Sequence, residues 1–425
     1  MKAKELIEKI KGGALEKYRV IYSDMALETE RYVRAIEEFC ALYGDERDIY
    51  LFSVSGRSEI LGNHTDHNRG CVLAGAVDRD IIAVVAKSEG KISRIKSEGY
   101  DECIVDLDLV DDKDACPDFS SAALISGLFA GLKMRGSRIG SFDAYLTTRV
   151  LKGSGLSSSA AFEVMIGNIL NHLYNNGEIP NEEIAKISQF AENEYFGKPC
   201  GLMDQMACAV GGFVHIDFAD PKNPIIEPIN FSLADEGYSL CIVNTGGNHA
   251  NLNDDYASVP YEMKSVAAYF GRDVLRGITE ADIIANLSVL REAVGDRAAL
   301  RAMHFVRENE RVGVTASALR RKDINGFFDG VMASGDSSFK YLQNVYTTQN
   351  VSEQGLSLAL CVTDALLSGK GCAWRVHGGG FAGTIQAFVK NEYVSEYSDI
   401  MNSIFGKDSC MILNIRPFGA IQIEL

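Results

Sequence analysis

The feature of this sequence that most limits how the chain can fold is a loop of small residues that runs straight into an apolar, helix-compatible segment. The stretch spans residues 152–164 and reads KGSGLSSSAAFEV. Gly153 and Gly155 allow the backbone to approach a ligand closely, and three serine hydroxyls follow at 157–159. Because the helix behind the loop would point the positive end of its dipole at the ligand, the combination predicts an anion site, above all a phosphate site.

This loop differs from the common nucleotide-binding motifs. The sequence contains no G-x-x-x-x-G-K-[ST] string, and the pair Gly153 and Gly155 lacks the third glycine of a G-x-G-x-x-G turn. Protein-kinase signature strings are absent as well. A flexible Gly/Ser linker is the structural alternative, but linkers do not normally pass directly into an apolar run such as residues 160–166. The phosphate site therefore belongs to another architecture.

Composition and charge narrow the class of protein. Of the 425 residues, 46% are hydrophobic, which is enough for two domains or one large bilobed unit. The formal net charge of −16 argues against a nucleic-acid backbone or an anionic membrane as partner, but it is compatible with a nucleotide, which needs only a local positive site and a metal ion. The ten cysteines show no C-x-x-C pair and are expected to be free thiols. With no apolar run near the roughly 20 residues of a membrane span, the protein is expected to be cytoplasmic.

A second polar segment lies between apolar stretches. Residues 54–70 read VSGRSEILGNHTDHNRG and crowd arginines, acids, histidines and glycines between the apolar residues 51–52 and 71–74. A polar surface loop is the plainest interpretation, but the flanking apolar residues predict that the segment is held in place. Donors and acceptors on a fixed loop suit a polyhydroxylated ligand, since every buried sugar hydroxyl must be paired.

One carboxylate stands alone in an apolar run. Asp204 is the only charge among residues 202–212, which follow an amphipathic helix predicted over 181–197 with Glu192 near its end. A buried carboxylate is costly unless it is paired, so helix capping and catalysis explain Asp204 equally well from these residues alone. Beside a phosphate loop and a hydroxyl-binding loop, catalysis is favoured.

The remaining pattern predicts a mixed α+β chain. Two helices are expected before residue 46, and a strand over 142–147 is expected to deliver the chain to the phosphate loop. The apolar segments 81–86 and 92–96 are predicted to pair as a hairpin. A triple glycine at 378–380, between two strand-like segments, indicates close approach of the backbone to a ligand or to another segment.

Three glycine- or hydroxyl-rich stretches at 56–68, 153–161 and 378–383 resemble, in order and spacing, the three motifs of the GHMP small-molecule kinases. The first resembles the galactokinase signature, and the element PCGLMDQ at 199–205 fits the same family. The resemblance implies an α+β fold of two lobes, with a mixed sheet and helices in the N-terminal lobe, a ferredoxin-like C-terminal lobe and the active site in the cleft. The implied units are an N-terminal helical extension packed on the first lobe (1–48), an N-terminal lobe carrying the sugar and phosphate loops (49–230) and a C-terminal lobe (231–425).

The resemblance also implies a reaction and a set of site residues. The chain would transfer a phosphoryl group from ATP, with Mg²⁺, to the anomeric C1 hydroxyl of galactose, giving galactose 1-phosphate and ADP. Asp204 matches the family's catalytic aspartate, and Arg57 matches the arginine that holds it ionised and steadies the transferred group. The positions that match sugar contacts are Asn63, His64, Asp66, Gly201 and Tyr256. The positions that match nucleotide contacts are Ser97, Gly153, Ser154, Gly155, Leu156, Ser157, Ser158 and Ser159, and those that match magnesium ligands are Ser159 and Glu192. No nucleic-acid or membrane partner is expected, and a monomer is favoured.

The first motif departs from the family pattern and leaves alternatives open. Most galactokinases have glutamate where Asn63 stands and asparagine where Glu59 stands, and a tyrosine at the position of His67. The family's glutamate contacts the 6-hydroxyl of galactose, so its loss would admit another group at C6, such as a carboxylate. A kinase for a modified galactose, such as galacturonate or N-acetylgalactosamine, is one alternative. A non-catalytic galactose and ATP sensor is another, and the complete phosphate loop argues against it.

Overall fold

The computed structural model describes residues 1–150, 155–247 and 252–425, and these residues form two sheets flanked by helices. The strands are β1 (Tyr50–Leu61), β2 (Cys71–Lys87), β3 (Ile92–Ser97), β4 (Cys103–Asp106), β5 (Phe142–Thr148), β6 (Phe213–Asp217), β7 (Ile225–Ile229), β8 (Tyr238–Asn244), β9 (Ala373–His377), β10 (Thr384–Lys390), β11 (Cys410–Leu413) and β12 (Ala420–Ile423). The helices are α1 (Ala3–Lys11), α2 (Met25–Tyr43), α3 (Ser121–Met134), α4 (Ser158–Asn175), α5 (Asn181–Ala191), α6 (Met203–Val210), α7 (Asn253–Tyr269), α8 (Glu280–Ala285), α9 (Leu287–Ala293), α10 (Asp296–Arg320), α11 (Ile324–Ser337), α12 (Gly355–Leu367) and α13 (Asn391–Phe405).

The first sheet has eight strands, which come from the first and the last parts of the chain. Its main order is β12-β1-β2-β5-β3-β4, and β6 and β7 branch from β2. Strand β2 is 17 residues long, so its first part pairs with β6 and its last part with β5. Strand β12, from the end of the chain, pairs with β1. The predicted sugar loop, residues 62–70, follows β1, and the predicted phosphate loop follows β5. Both loops are therefore connected to strands of the same sheet.

The predicted hairpin between residues 81–86 and 92–96 is wrong. Both segments are strands, in β2 and β3, but β5 lies between them, antiparallel to β2 and parallel to β3. Six of the seven residues of β5 are buried. This strand is therefore most stable where other layers cover both of its faces and neighbouring strands satisfy the backbone hydrogen bonds on both of its edges. Alternation identifies a strand, but it does not identify the neighbouring strand.

The phosphate loop lies between a strand and a helix, as predicted, because β5 ends at Thr148 and α4 begins at Ser158. The second sheet is antiparallel, in the order β11-β8-β10-β9, and the triple glycine at 378–380 lies in the turn between β9 and β10. This turn faces the sugar loop of the first sheet, since the amide nitrogen of Asn63 donates to the carbonyl oxygen of Gly378 at 2.7 Å. The division of the chain at residues 48 and 230 stays a prediction.

The two predicted N-terminal helices are present and cover one face of the first sheet. Ile82 and Val84 of β2 pack in a cluster with Ile36 and Phe39 of α2. The alternate residues of β2, such as Ala83, face the other way into the large core that contains α3, α4 and α6. The first sheet is therefore a middle layer with helices on both sides.

A buried ionic network ties the N-terminal helices to this sheet. The Asp80 carboxylate in β2 accepts hydrogen bonds from Arg31 of α2 at 2.6 Å, from the Tyr22 hydroxyl at 2.8 Å and from the Ser53 hydroxyl at 2.5 Å. Arg416, just before β12, lies 3.3 Å from the same carboxylate. Burial raises the pKa of Asp80, but the two arginines outweigh it and lower that pKa to about 2. Asp80 thus remains charged in the interior because two cations neutralise it.

Two further expectations concern the environment of the chain. None of the helices in the described ranges combines the length and the apolar character needed to cross a bilayer. All ten cysteines are free thiols in the structure, and Cys361 is exposed.

Candidate active site

The phosphate loop enters α4 through residues with left-handed backbone conformation. Gly155 has φ +74°, and a Cβ atom there would lie 2.9 Å from the Cε1 atom of His377. Both the conformation and the close approach of His377, at the end of β9, therefore require glycine. Ser157 follows with φ +58°, and Ser158 opens the first turn of α4.

The other loop residues predicted to bind nucleotide differ in how exposed they are. The Leu156 side chain is buried in the core, and its backbone carbonyl accepts a hydrogen bond from the N–H of Arg57 at 3.1 Å, so this residue anchors the loop to β1. Ser159 is exposed in the first turn of α4 and lines a small cavity. Gly153 and Ser154 lie outside the described residues.

The centre of the site is a bidentate ion pair between Arg57 of β1 and Asp204 of α6. The Nε atom of Arg57 donates to Oδ1 of Asp204, and Nη2 donates to Oδ2, both at 2.7 Å. The third guanidinium nitrogen, Nη1, donates to the carbonyl oxygen of Gly155 at 2.5 Å. The Ser157 hydroxyl also donates to the Asp204 carboxylate. One arginine thus connects the carboxylate to the phosphate loop.

The electrostatics keep Asp204 ionised. Burial raises the pKa of Asp204, but the charge and hydrogen bonds of Arg57 and the hydrogen bond from Ser157 outweigh burial, so that pKa lies below its ordinary value. Asp204 also lies in the first turn of α6, where the helix dipole favours a negative charge. About a third of the Asp204 side chain is exposed, at 32%, so the carboxylate can reach a ligand in the cavity.

A second acidic group lies beside this pair. Glu192, at the end of α5, accepts hydrogen bonds from Nζ of Lys198 at 3.0 Å and from Nε2 of Gln205 at 2.8 Å. The same Gln205 nitrogen lies 3.0 Å from Oε2 of Glu163 in α4. Burial and the neighbouring charge of Glu192 raise the pKa of Glu163 to about 8. The other Glu163 oxygen, Oε1, is buried without a hydrogen-bond partner.

The oxygen donors at this place fit a magnesium ion. Ser159 and Glu192 line one cavity of about 160 Å³ together with Asp204. Hydroxyl and carboxylate oxygens are the ligands Mg²⁺ prefers, and Mg²⁺ commonly takes one or two carboxylates and completes its shell with water and substrate phosphates. In the described part of the chain no group of three or more His, Cys, Asp or Glu side chains has the geometry to hold a metal without such help.

One residue of the sugar loop, Asp66, reaches the same region. Asp66 and Gly201 line the cavity with Asp204, and a Cβ atom on Gly201 would lie 2.8 Å from Oδ2 of Asp66. Gly201 therefore leaves room for the Asp66 carboxylate. His64 has φ +57°, and its Nε2 atom lies 2.9 Å from the carbonyl oxygen of Gly379 in the turn of the second sheet.

The side chain of Asn63, a predicted sugar contact, is hydrogen-bonded within the protein. Its side chain is buried and its amide nitrogen donates to Glu59 at 2.9 Å and to the carbonyl oxygen of Gly378 at 2.7 Å. Its amide oxygen accepts from Asn344 at 2.7 Å. Asn63 thus holds the sugar loop against the glycine turn, and a direct contact with sugar stays a prediction.

The last two predicted residues lie at the margins of the site. The Tyr256 hydroxyl on α7 donates to the carbonyl oxygen of Gly380 at 2.8 Å, and its ring packs edge-on against Phe381. Ser97 ends β3 beside Leu146 of β5, so it lies at the strand ends from which the chain enters the phosphate loop.

Sequence reasoning missed the groups that support the site from a distance. Asn344 lies beyond α11, and His304 on α10 donates through Nε2 to the carbonyl oxygen of Asn63 at 2.9 Å. Glu308, one turn further on, accepts from the N–H of Gly62 at 3.0 Å. Buried polar residues on otherwise ordinary helices are the only sequence signal for such contacts.

The glycine turn allows a direct test of this support. Gly380 has φ +81°, and a Cβ atom there would lie 2.0 Å from the carbonyl oxygen of Asn344, whereas Gly378 has φ +68° with open space around it. We expect Gly380→Ala to lower the free energy of unfolding by about 2 kcal/mol or more, and Gly378→Ala by only about 1 kcal/mol from backbone strain. Urea unfolding measures both, and equal losses would contradict the role of the Asn344 contact.

Comparisons with known proteins show which family this chain belongs to. The family model for the N-terminal domain of GHMP kinases matches residues 121–212, and the model for the galactokinase galactose-binding signature matches residues 37–87. A galactokinase from Streptomyces coelicolor is 32% identical over 371 residues, covering 87% of this chain and 92% of that protein. A galactokinase from Streptomyces lividans is 32% identical over 355 residues, covering 83% and 84%.

Solved structures share the fold. The structure of Lactococcus lactis galactokinase complexed with galactose matches with a TM-score of 0.75 at 22% identity, covering 91% of this chain and 98% of that chain. A mevalonate kinase structure matches with a TM-score of 0.60 at 15% identity, covering 87% and 99%. The two-lobed α+β architecture expected from the sequence motifs is thereby confirmed.

Proposed function

This chain belongs to the galactokinase family of GHMP kinases, and from that premise we propose that it transfers the γ-phosphoryl group of ATP to the C1 hydroxyl of galactose. The observation that carries the proposal is the bidentate Arg57–Asp204 pair, at 2.7 Å for each bond, which connects the phosphate loop to a cavity shared with Asp66 and Gly201. An ionised carboxylate, a cation and a phosphate loop therefore meet next to donors and acceptors for a sugar.

In the proposed reaction Asp204 orients the hydroxyl and accepts its proton. The sugar O1 forms a bond to the γ-phosphorus, the bond from that phosphorus to the β–γ bridging oxygen breaks, and ADP leaves. The transition state is loose, so positioning and neutralisation of charge matter more than the basicity of Asp204. Because Arg57 lowers the pKa of Asp204, its carboxylate is a weak base and takes the proton late.

Arg57 and the phosphate loop contribute the remaining electrostatic stabilisation. Arg57 lies between the carboxylate and the loop backbone at Gly155, where the transferred group would pass. The N-terminus of α4, with Ser158 and Ser159, would face the phosphates. Ser159 and Glu192 would hold the magnesium ion, which, when bound, neutralises phosphate charge.

The geometry supports plain galactose over an acidic sugar. The amide nitrogen of Asn63 is already bonded to Glu59 and to the Gly378 carbonyl, so it offers no donor to a C6 carboxylate. The nearby Asp66 carboxylate would repel such a group, and Arg57 is engaged by Asp204. Asn63 and Arg57 therefore offer no free donor to a carboxylate, and Lys198, the cation that lines the same cavity, is paired with Glu192.

A substrate panel tests the proposal. ATP consumption with Mg²⁺ is measured for galactose, galacturonate, N-acetylgalactosamine, arabinose and glucose, and we expect kcat/KM for galactose to exceed that for galacturonate by about 100-fold, roughly the 2–3 kcal/mol of an unpaired buried charge. Phosphorus NMR of the product checks that the phosphate is on C1. Preferred turnover of a modified galactose would show that this sugar, and not galactose, is the substrate. Binding of galactose without turnover would indicate a sensor.

A further inference from the structure

Outside the Arg57–Asp204 pair, the site holds two carboxylates that share one amide. Glu163 and Glu192 are both buried, and Nε2 of Gln205 lies 3.0 Å from an oxygen of the first and 2.8 Å from an oxygen of the second. One amide nitrogen supplies no net charge, so a carboxylate charge on the buried Glu192 is stabilised by a cation nearby.

Lys198 supplies that cation to Glu192. Its Nζ atom lies 3.0 Å from Oε1 of Glu192, and its own backbone N–H donates to the Glu192 carbonyl oxygen at 3.1 Å. The Lys198 side chain is 57% exposed, whereas that of Glu192 is 4% exposed. The ammonium group therefore approaches the buried carboxylate from the cavity side.

The cavity geometry places Lys198 where a metal ion would have to bind. Lys198, Glu192 and Ser159 line the same cavity of about 160 Å³. A divalent cation on Glu192 and Ser159 would compete with the ammonium group for the same carboxylate oxygens, because two cations at one oxygen repel each other. Lysine is a point charge on a flexible stem, so it can leave the carboxylate at small cost.

We propose that Lys198 is an exchangeable counter-ion of Glu192, which neutralises this carboxylate until a divalent cation displaces the ammonium group. The inference rests on the proposed function only in assigning Glu192 as a metal ligand. Lys198 is then a positioning residue: it holds the Glu192 carboxylate at the cavity, and it sets how strongly the site takes up metal.

Metal binding by the nucleotide-free protein is the test, with Mn²⁺ as the probe and the free Mn²⁺ signal followed by electron paramagnetic resonance. We expect Lys198→Met to bind Mn²⁺ at least about threefold more tightly than the unaltered protein, since the competing cation is gone. Lys198→Arg retains a cation and should stay within about twofold of the unaltered protein. Thermal unfolding of each variant checks that the fold is intact.

Lys340→Met is the matched control. Lys340 also pairs with a carboxylate, Asp336 at 2.7 Å, and its side chain is likewise 57% exposed, but it lies outside the cavity. This variant should bind Mn²⁺ like the unaltered protein. Adding Glu192→Gln to Lys198→Met should abolish the gain in affinity, which assigns the metal to this carboxylate.

The possible outcomes separate the two proposals. If Lys198→Met binds Mn²⁺ no more tightly than the unaltered protein, or if the gain survives Glu192→Gln, the counter-ion inference is overturned. Because this measurement needs neither sugar nor ATP, a gain in Mn²⁺ affinity would stand even if the substrate panel rejected galactose. Conversely, galactose turnover with an unchanged Mn²⁺ affinity would retain the proposed function and remove only this inference.

Discussion

Asp204→Asn is expected to lower kcat by about 10³-fold while galactose and nucleotide still bind within a few-fold of their normal affinity. The asparagine has the shape of aspartate but cannot accept the proton of the sugar hydroxyl, and a positioned proton acceptor contributes about 10²- to 10⁴-fold. The variant also removes the charge that the two 2.7 Å bonds of Arg57 hold in place. Single-turnover kinetics measures the chemical step, and calorimetry measures the binding of sugar and ADP.

Asp217→Asn is the matched control for this substitution. Asp217 in β6 also pairs with an arginine, Arg276 at 2.8 Å, but does not line the cavity of Asp204. We expect kcat of this variant to stay within about twofold of normal, because only a pair outside the site is lost. If Asp204→Asn kept more than about a tenth of the normal kcat, Asp204 would not be the proton acceptor.

The pH dependence of kcat gives a second check on Asp204. Its pKa lies below the ordinary aspartate value of about 3.9, because Arg57 and Ser157 stabilise the charged form more than burial disfavours it. The carboxylate is therefore ionised across the neutral range, and kcat should show no decline from Asp204 as the pH falls from 8 towards about 5. A decline with an apparent pKa near 6 or 7, abolished in Asp204→Asn, would contradict this.

Asp80→Asn is expected to lower the free energy of unfolding by about 3–5 kcal/mol, the usual loss when one partner of a buried ion pair is removed. The substitution leaves Arg31 and Arg416 charged in the interior, with the Tyr22 and Ser53 hydroxyls bonded to a neutral amide. The N-terminal helices and β12 then lose a common anchor. Chemical unfolding monitored by circular dichroism measures the change.

Acid unfolding should reveal the same group. The pKa of Asp80 is about 2 in the folded protein and about 3.9 in an unfolded chain, so its stabilising contribution is complete above about pH 4 and is lost as the pH falls towards 2. Asp80→Asn should therefore flatten the stability profile in this window. An unchanged slope would show that Asp80 does not titrate as the buried network requires.

A surface pair provides the control for the stability prediction. Arg291 and Asp296 are 2.7 Å apart and both are mostly exposed. Because water and salt screen such a pair, Asp296→Asn should lower the free energy of unfolding by less than about 1 kcal/mol. Similar losses in the two variants would mean that burial does not control the effect of Asp80.

Much of the site could be predicted from consecutive residues. The glycines and serines before α4 indicated the phosphate loop because close approach to a phosphate and positive φ angles depend on adjacent residues, and Gly155 and Ser157 show that conformation. Asp204 stood out because a single charge in an apolar run must be paired or functional. The family motifs then connected these stretches to a two-lobed kinase fold.

Other features depended on residues far apart in the chain. Arg57 and Asp204 are 147 positions apart, and Asn63 and Asn344 are 281 apart, so no local pattern could show that they meet. The insertion of β5 between β2 and β3 decided the strand order, since alternation reports only which side of a strand is buried.

The sequence by itself therefore determined the glycine- and serine-rich turn into α4 and predicted the segments proposed to bind phosphate and sugar, because those requirements are local to the backbone. Only the tertiary structure decided which charges pair. It also decided that the Asn63 amide donates to the carbonyl oxygen of Gly378 and that Lys198 forms an ion pair with Glu192. The physical reason is that ion pairs and buried hydrogen bonds form wherever packing brings donors and acceptors together, and packing depends on the whole sheet rather than on sequence spacing.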